Sequence, residues 1–322
     1  MKIFLLVFFL FLISILAEGQ LKVGFYSQTC PNAESIVKSV VKDATVNEPR
    51  MPSILLRLHF HDCFVEGCDG SILIKDGENN ADGHQGLLGF EVITEAKQKV
   101  ETQCPGVVSC ADIVAMAARD AVTLAGGPIY KVETGRRDGR ISNPLLAKDM
   151  PDVNDSIDTL KSKFRNKGLS EKELVLLSGG SHTIGTTACV FMTKRLYSFT
   201  GKNDDTDFDP EISREFLPEL KRLCPRDGDG NDRMPLDTVT SDKFDDQSLG
   251  NIKNGFAVLA SDARLYNDNI TKRVVDSYIH DDAAGAGTLF GEDFSMAMIK
   301  MGRIGVKIGL GGEIRQVCDS FN

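Results

Sequence analysis

The chain of 322 residues has no tryptophan and only five histidines, so any imidazole chemistry must come from His59, His61, His84, His182 or His280. It has no block of lysine and arginine, and its net charge is −9. An acidic chain of this kind lacks the electrostatic footprint of a nucleic-acid binder, and small neutral or cationic molecules are its easier ligands. There is no internal repeat and no long low-complexity tract. Strand-like alternation is scarce, which argues against an all-β fold and predicts a mainly α protein. Beyond the first twenty residues no long apolar run follows, so no later segment reads as a membrane span.

The one long apolar run is at the start. Lys2 precedes an unbroken stretch from Ile3 to Leu16, and the small residues Ala17 and Gly19 follow. This is the pattern of a signal peptide over 1–19, with the remaining chain, 20–322, as one domain. The run is shorter than the ~20 residues a spanning helix needs, so an anchor is the weaker alternative. Eight cysteines in an exported chain favour four disulfides over thiols or metal ligands. Spacing alone does not fix the pairing, although Cys63 and Cys68 could close a tight loop rich in carbonyls. The sequons at Asn154 and Asn269 fit glycosylation on the same route.

Helical signals run through the chain. Asp155 or Ser156 can cap a helix with Ile157, Leu160 and Phe164 on one face, ended by Gly168. Ser170 and Glu173 form a capping box for a second helix that runs toward His182. A buried helix is expected between Ser109 and Leu124, where Asp112, Arg119 and Asp120 would need partners. The Gly/Asp-rich segments 200–210 and 226–232 read as surface loops.

The densest chemistry lies in Arg57-Leu58-His59-Phe60-His61-Asp62-Cys63-Phe64-Val65-Glu66-Gly67-Cys68-Asp69-Gly70-Ser71. Leu55, Leu56, Leu58 and Phe60 make a helical run after Pro52, so Arg57 and His61 fall four apart on one face. A base and a fixed positive charge then share a pocket. His59, two residues from His61, faces away and is expected to pack or hydrogen-bond. A zinc hydrolase built on His59, His61 and Cys63 is the competing reading, but oxidised cysteines cannot ligate zinc and no glutamate sits at helical spacing as a base.

These residues, together with FYSQTCP (25–31), CPGVVSCADI (104–113), GRRDG (135–139), SHTIG (181–185) and SDARLY (261–266), resemble the secreted plant haem peroxidases of class III. The resemblance covers the whole chain after the signal peptide. It implies two helical lobes, distal and proximal, sandwiching one haem b, with His182 as the axial ligand to iron and Asp262 as acceptor of its other ring proton. A carboxylate there makes the imidazole more basic and favours O–O cleavage. His61 would be general base and then general acid toward hydrogen peroxide, Arg57 would stabilise the charge developing on the breaking bond, and Phe60 would wall the pocket. Phenolic donors would be oxidised in one-electron steps at an exposed haem edge near Pro151 and Phe191.

The same resemblance implies two calcium ions. Asp62, Asp69 and Ser71 with the carbonyls of Val65 and Gly67 would hold the distal one, and Thr183, Asp237, Thr240, Asp245 and the Lys243 carbonyl the proximal one. It implies the bridges Cys30–Cys104, Cys63–Cys68, Cys110–Cys318 and Cys189–Cys224, and a monomer is expected. With only Asp319-Ser320-Phe321-Asn322 after Cys318 in place of the extension that vacuolar relatives carry, the extracellular space is the expected location. The alternative function is a haem- and calcium-binding wall protein with weak or no peroxidase activity.

Three departures from the family pattern bear on that alternative. The asparagine that holds the distal histidine's tautomer falls on His84 or Gly83, in a segment one residue short. If His84 accepts the Nδ1 proton of His61, basicity is kept. One extra residue precedes His182, which rotates a helical face by ~100° unless a bulge absorbs it. Gly179 and Gly180 make such a bulge tolerable, and a splice-boundary error in the sequence is the other explanation. Finally, Tyr130 stands in the Gly-Gly-Pro context where a tryptophan is usual, a change of packing rather than of function.

Overall fold

The computed structural model describes residues 21–202, 204–279 and 286–322, with side chains from 289 onward in the last segment. The expected signal peptide over 1–19, and His280, lie outside the described residues. The protein is mainly helical. In chain order the helices are α1 (Ala33–Asn47), α2 (Met51–Phe64), α3 (Phe90–Gln103), α4 (Cys110–Leu124), α5 (Ile157–Asn166), α6 (Glu171–Val175), α7 (Val190–Tyr197), α8 (Leu217–Leu223), α9 (Gln247–Lys253), α10 (Ala260–Ala263), α11 (Asn269–Tyr278) and α12 (Ala286–Met301). Two short antiparallel ribbons complete it: β1 (Lys22–Val23) with β2 (Glu133–Thr134), and β3 (Thr186–Ala188) with β4 (Arg233–Pro235).

Helix α4 is the centre of the first lobe and packs on α1, α2 and α3. Its alanine-, valine- and methionine-rich sequence is buried from Cys110 to Val122 except at Arg119, which is why all its polar side chains need partners. Ser109 caps it, its Oγ accepting the Asp112 N–H at 3.2 Å. Asp112 accepts the Tyr26 hydroxyl at 2.6 Å, the Gly135 N–H at 2.6 Å and the Arg136 guanidinium at 2.9 Å. Arg119 pairs with Asp120 and Glu34. Tyr130 is buried, so the position takes an aromatic ring into the core as a tryptophan would.

In the second lobe α5 begins at Ser156, whose Oγ accepts the Thr159 N–H at 3.1 Å, and Gly168 follows its end with a φ of +77°. The capping box holds at α6: Glu173 accepts the Ser170 N–H at 2.6 Å. Helices α6, α9 and α12 pack around the turn that leads to His182, and α11 packs behind them on all three. The two lobes share one continuous apolar core, and a smaller one lies under α7 and α8 around Met192, Leu196, Phe216 and Met234.

Four disulfides tie this frame, Cys30–Cys104, Cys63–Cys68, Cys110–Cys318 and Cys189–Cys224, the pairing that the resemblance implies. The segment 200–210 is irregular, as its composition suggests, but it is not simply a solvated loop. Asp207 and Asp209 are buried, and Asp209 accepts the Arg195 guanidinium at 2.7 Å. A buried cation on α7 needs that carboxylate, which composition cannot reveal.

Candidate haem and calcium site

Helix α2 places Arg57 and His61 one turn apart, Arg57 exposed into open space and His61 buried. Phe60 stacks on Phe64 at 4.2 Å and meets the edge of the His61 ring at 5.8 Å, so the wall beside the base is aromatic. His59 points the other way, into the packing around the Cys63–Cys68 bridge, with Nδ1 at 3.6 Å from the Cys63 sulfur. Burial, with Arg136 nearby, pushes its pKa down to about 3, so it is neutral. Because Cys63 and Cys68 are bonded to each other, the cluster with His59 offers no thiolate to a metal.

Burial, Arg57 and His84 also hold the pKa of His61 well below the usual imidazole value. A neutral imidazole beside a cation is the state a general base requires. Although its surface is open, the protein around the Arg57 guanidinium shields it from much of the bulk water, and this desolvation, with Arg233 nearby, lowers its pKa to about 10, which leaves it charged at neutral pH. Its two terminal nitrogens donate to the carbonyls of Gly86 at 3.1 Å and Gln85 at 3.3 Å. The same short segment supplies His84, whose Nδ1 lies 2.7 Å from Nδ1 of His61.

The second histidine stands on an unusual piece of backbone. After α6 the chain widens into a five-residue π-turn, Leu176–Gly180, and tightens into a 3₁₀ turn, Ser181–Thr183. A π-turn is the kind of bulge that an extra residue before His182 requires. It needs its two glycines: a Cβ on Gly179 would lie 2.6 Å from Ile252 Cδ1, and one on Gly180 3.0 Å from the Phe290 ring. His182 Nδ1 then reaches Asp262 Oδ2 at 2.7 Å. Burial opposes a charge on His182, but Asp262 outweighs it and raises the pKa of the ring.

The two histidine-bearing segments face each other. Gly185, just past His182, comes so close to α2 that a Cβ would sit 2.7 Å from the Ser53 Cβ. The charge on Arg57 is felt at His182. The His182 side chain is 29% exposed although its Nδ1 is tied to Asp262. An imidazole anchored through Nδ1 to a carboxylate, with the rest of its ring partly exposed, is the donor arrangement that an axially ligated haem fits.

Beside α2, buried oxygens collect without partners. Asp62 Oδ1, Ser71 Oγ and both Glu78 carboxylate oxygens have no hydrogen-bond partner among the described residues. Burial, and then Asp69, hold the Asp62 pKa well above its usual value. Burial with Asp62 and Asp69 raises Glu78 to about 9. Three crowded carboxyl groups with orphaned oxygens fit a hard divalent cation, which would supply the missing positive charge. Glu78 escaped attention in the sequence because nothing local marks it as buried. Of the two carbonyls expected there, that of Val65 accepts the Lys167 ammonium at 2.7 Å and that of Gly67 the Asp69 N–H at 2.8 Å.

A second oxygen cluster lies beside His182. Thr183 Oγ1 is 3.3 Å from the Lys243 carbonyl and 3.2 Å from Asp245, while Thr240 Oγ1 is 3.0 Å from Asp245 and 3.3 Å from Asp237. All five expected residues therefore meet, an oxygen set of the kind calcium takes. The expected donor residues are placed only by exposure: Phe191 is half-exposed on α7 and Pro151 partly buried. Both sequon asparagines, Asn154 and Asn269, are exposed. Among the described residues no helix is long and apolar enough to cross a membrane.

A family profile described as peroxidase matches residues 37–281. Peroxidase 43 of Arabidopsis thaliana is 59% identical over 307 residues, 94% of this chain and 93% of that protein. Peroxidase 13 of the same plant is 56% identical over 310 residues, covering 95% and 94%. Peroxidase N1 of Nicotiana tabacum is 47% identical over 310 residues, covering 96% and 92%.

Proposed function

This chain belongs to the class III plant peroxidases and is a hydrogen-peroxide-dependent, haem- and calcium-binding enzyme, and we propose that it oxidises phenolic donors with Arg57, His61, His182 and Asp262 as its working residues. The observation that carries this assignment is the opposition of two differently prepared imidazoles. His61 is kept neutral beside a cation, and His182 is made basic by a carboxylate 2.7 Å away.

One haem b would be held by His182 through Nε2, and when bound it supplies the redox centre at which peroxide is reduced. His61 Nε2 takes the proton from the oxygen of peroxide that stays behind and returns it to the oxygen that leaves as water. The charge on Arg57 offsets the negative charge that builds on the leaving oxygen. Asp262 keeps the Nδ1 proton of His182 engaged, which fixes the ring's orientation and raises its donor strength. Phe60 excludes water from one side of His61. Over a full cycle one peroxide and two phenols give two waters and two phenoxyl radicals, so each donor loses one electron and one proton.

Pro151 and Phe191 would border the donor contact. Two calcium ions, in the Asp62–Asp69–Ser71 and Thr183–Asp237–Thr240–Asp245 clusters, would flank the two histidine-bearing segments. Secretion to the wall space with glycosylation is supported by four disulfides and exposed sequons, since disulfides persist on the secretory route; a monomer is the expected state.

The test is His61→Ala in haem-loaded protein. Peroxide turnover is expected to fall by at least ~10²-fold while the haem absorbance band is kept. Turnover equal to that of the parent would remove His61 from the role of base.

A further inference from the structure

The turn Asp82–Gly86 makes three hydrogen bonds to the two catalytic side chains of α2, two from Arg57 to its carbonyls and one between His61 and His84. We propose that His84 is a positioning residue for the distal base: its Nδ1 accepts the Nδ1 hydrogen of His61, so that the Nε2 lone pair of His61 is left for peroxide. This rests on the reading of His61 as base given above.

The geometry leaves little choice of partner. The Nδ1 to Nδ1 separation is 2.7 Å, and both rings are buried. One neutral imidazole must donate and the other accept. If His61 accepted, its remaining hydrogen would sit on Nε2 and it could not take a proton. With His61 donating, the hydrogen of His84 is on Nε2, and that atom has no partner among the described residues. A proton therefore has no onward acceptor beyond His84 among the described residues, and the pair ends the relay there.

An imidazole in this place differs from a neutral amide in one respect, because it can be protonated. Burial and the charge on Arg57 push the His84 pKa down to about 4. The groups around it are Arg57 and His61 from α2, Asp82 on its own turn, Glu78 on the preceding turn, and the exposed Lys148 and Asp149 on the turn Pro144–Asp149. Above that pH His84 accepts from His61. Below it both Nδ1 atoms carry hydrogen, the bond is lost and the base is released from its tautomer.

The experiment uses haem-loaded wild type, H84A, H84N and H61A, with two readouts between pH 3.5 and 8. One is the rate of the haem absorbance change on mixing with peroxide. The other is the equilibrium affinity for cyanide, which enters as hydrogen cyanide and must give up its proton to a distal base without any turnover. H84A is expected to lose about 10- to 100-fold in both. H84N, which can only accept through its oxygen, is expected to restore most of both and to lack the acid limb near pH 4. H84A that matches wild type in rate and cyanide affinity overturns the proposal. Should H84A not retain haem, the comparison of H84N with wild type decides, and an identical acid limb in both overturns it. Loss in H61A without loss in H84A removes only the role of His84, whereas loss in neither removes the underlying reading as well.

Discussion

His182 and Asp262 stand 80 residues apart in the chain and 2.7 Å apart in space. Replacing the carboxylate by an amide keeps an acceptor near Nδ1 but removes the charge that raises the basicity of the ring. Asp262→Asn is therefore expected to retain haem, to slow the peroxide step about 10- to 100-fold, and to shift the haem reduction potential to more positive values. The potential is the deciding measurement, since an unchanged value would mean that Asp262 only packs against His182.

The π-turn at Leu176–Gly180 gives a second pair of expectations. Gly179→Ala puts a methyl 2.6 Å from Ile252 Cδ1 and 3.0 Å from Leu265 Cδ1 in a closed core. A cost of about 1–3 kcal/mol and lower haem occupancy should follow, read by thermal unfolding and by the ratio of haem to protein absorbance. Deletion of Ser181 removes the residue that the turn accommodates. That variant is expected to retain haem, with an ordinary α-turn in place of the wide one, and failure to bind haem would mean that the turn has another purpose.

Calcium should govern the pH dependence of stability. Glu78 has an ordinary pKa of 4.5 unfolded and about 9 in the metal-free fold. Its folded value is raised, so its contribution is fully present below about 4.5, and it is lost as pH rises toward 9 because the unfolded chain releases the proton more readily. After chelation, the urea midpoint is expected to fall steadily from pH 5 to pH 9, and added calcium should flatten or reverse the trend. A midpoint insensitive to calcium across that range would exclude the Asp62–Asp69–Glu78 cluster as a metal site.

Much of this arrangement was legible before any coordinates. The spacing of Arg57 and His61 on one helix, the Ser170 capping box and the pairing demanded of Asp112 are local or nearly local matters, decided by helix period and by the cost of burying charge. The need for a bulge before His182 was also legible, because an inserted residue turns a helical face and two glycines follow each other there. What stayed hidden depends on tertiary burial. Glu78 and Asp209 sit in polar stretches that look solvated, and only the packing of distant helices against them reveals that they are enclosed. The partner of His61 was ambiguous between Gly83 and His84 because a shortened loop leaves alignment open, and the 2.7 Å contact resolves which ring is there.

The bridges Cys189–Cys224 and Cys110–Cys318 both span the exposed residues Asp204, Asp205 and Thr206. A protease that cuts there severs the backbone without separating the pieces, since each piece keeps one cysteine of both pairs. Arg57, His61 and His182 lie in one piece and Asp262 in the other, so a nicked molecule would carry its proximal pair across a break that covalent sulfur bonds still hold shut. Such a molecule would run as a single band until a reductant is added. Wherever proteases are abundant, the lifetime of the enzyme would then be set by the local thiol supply more than by the number of cuts.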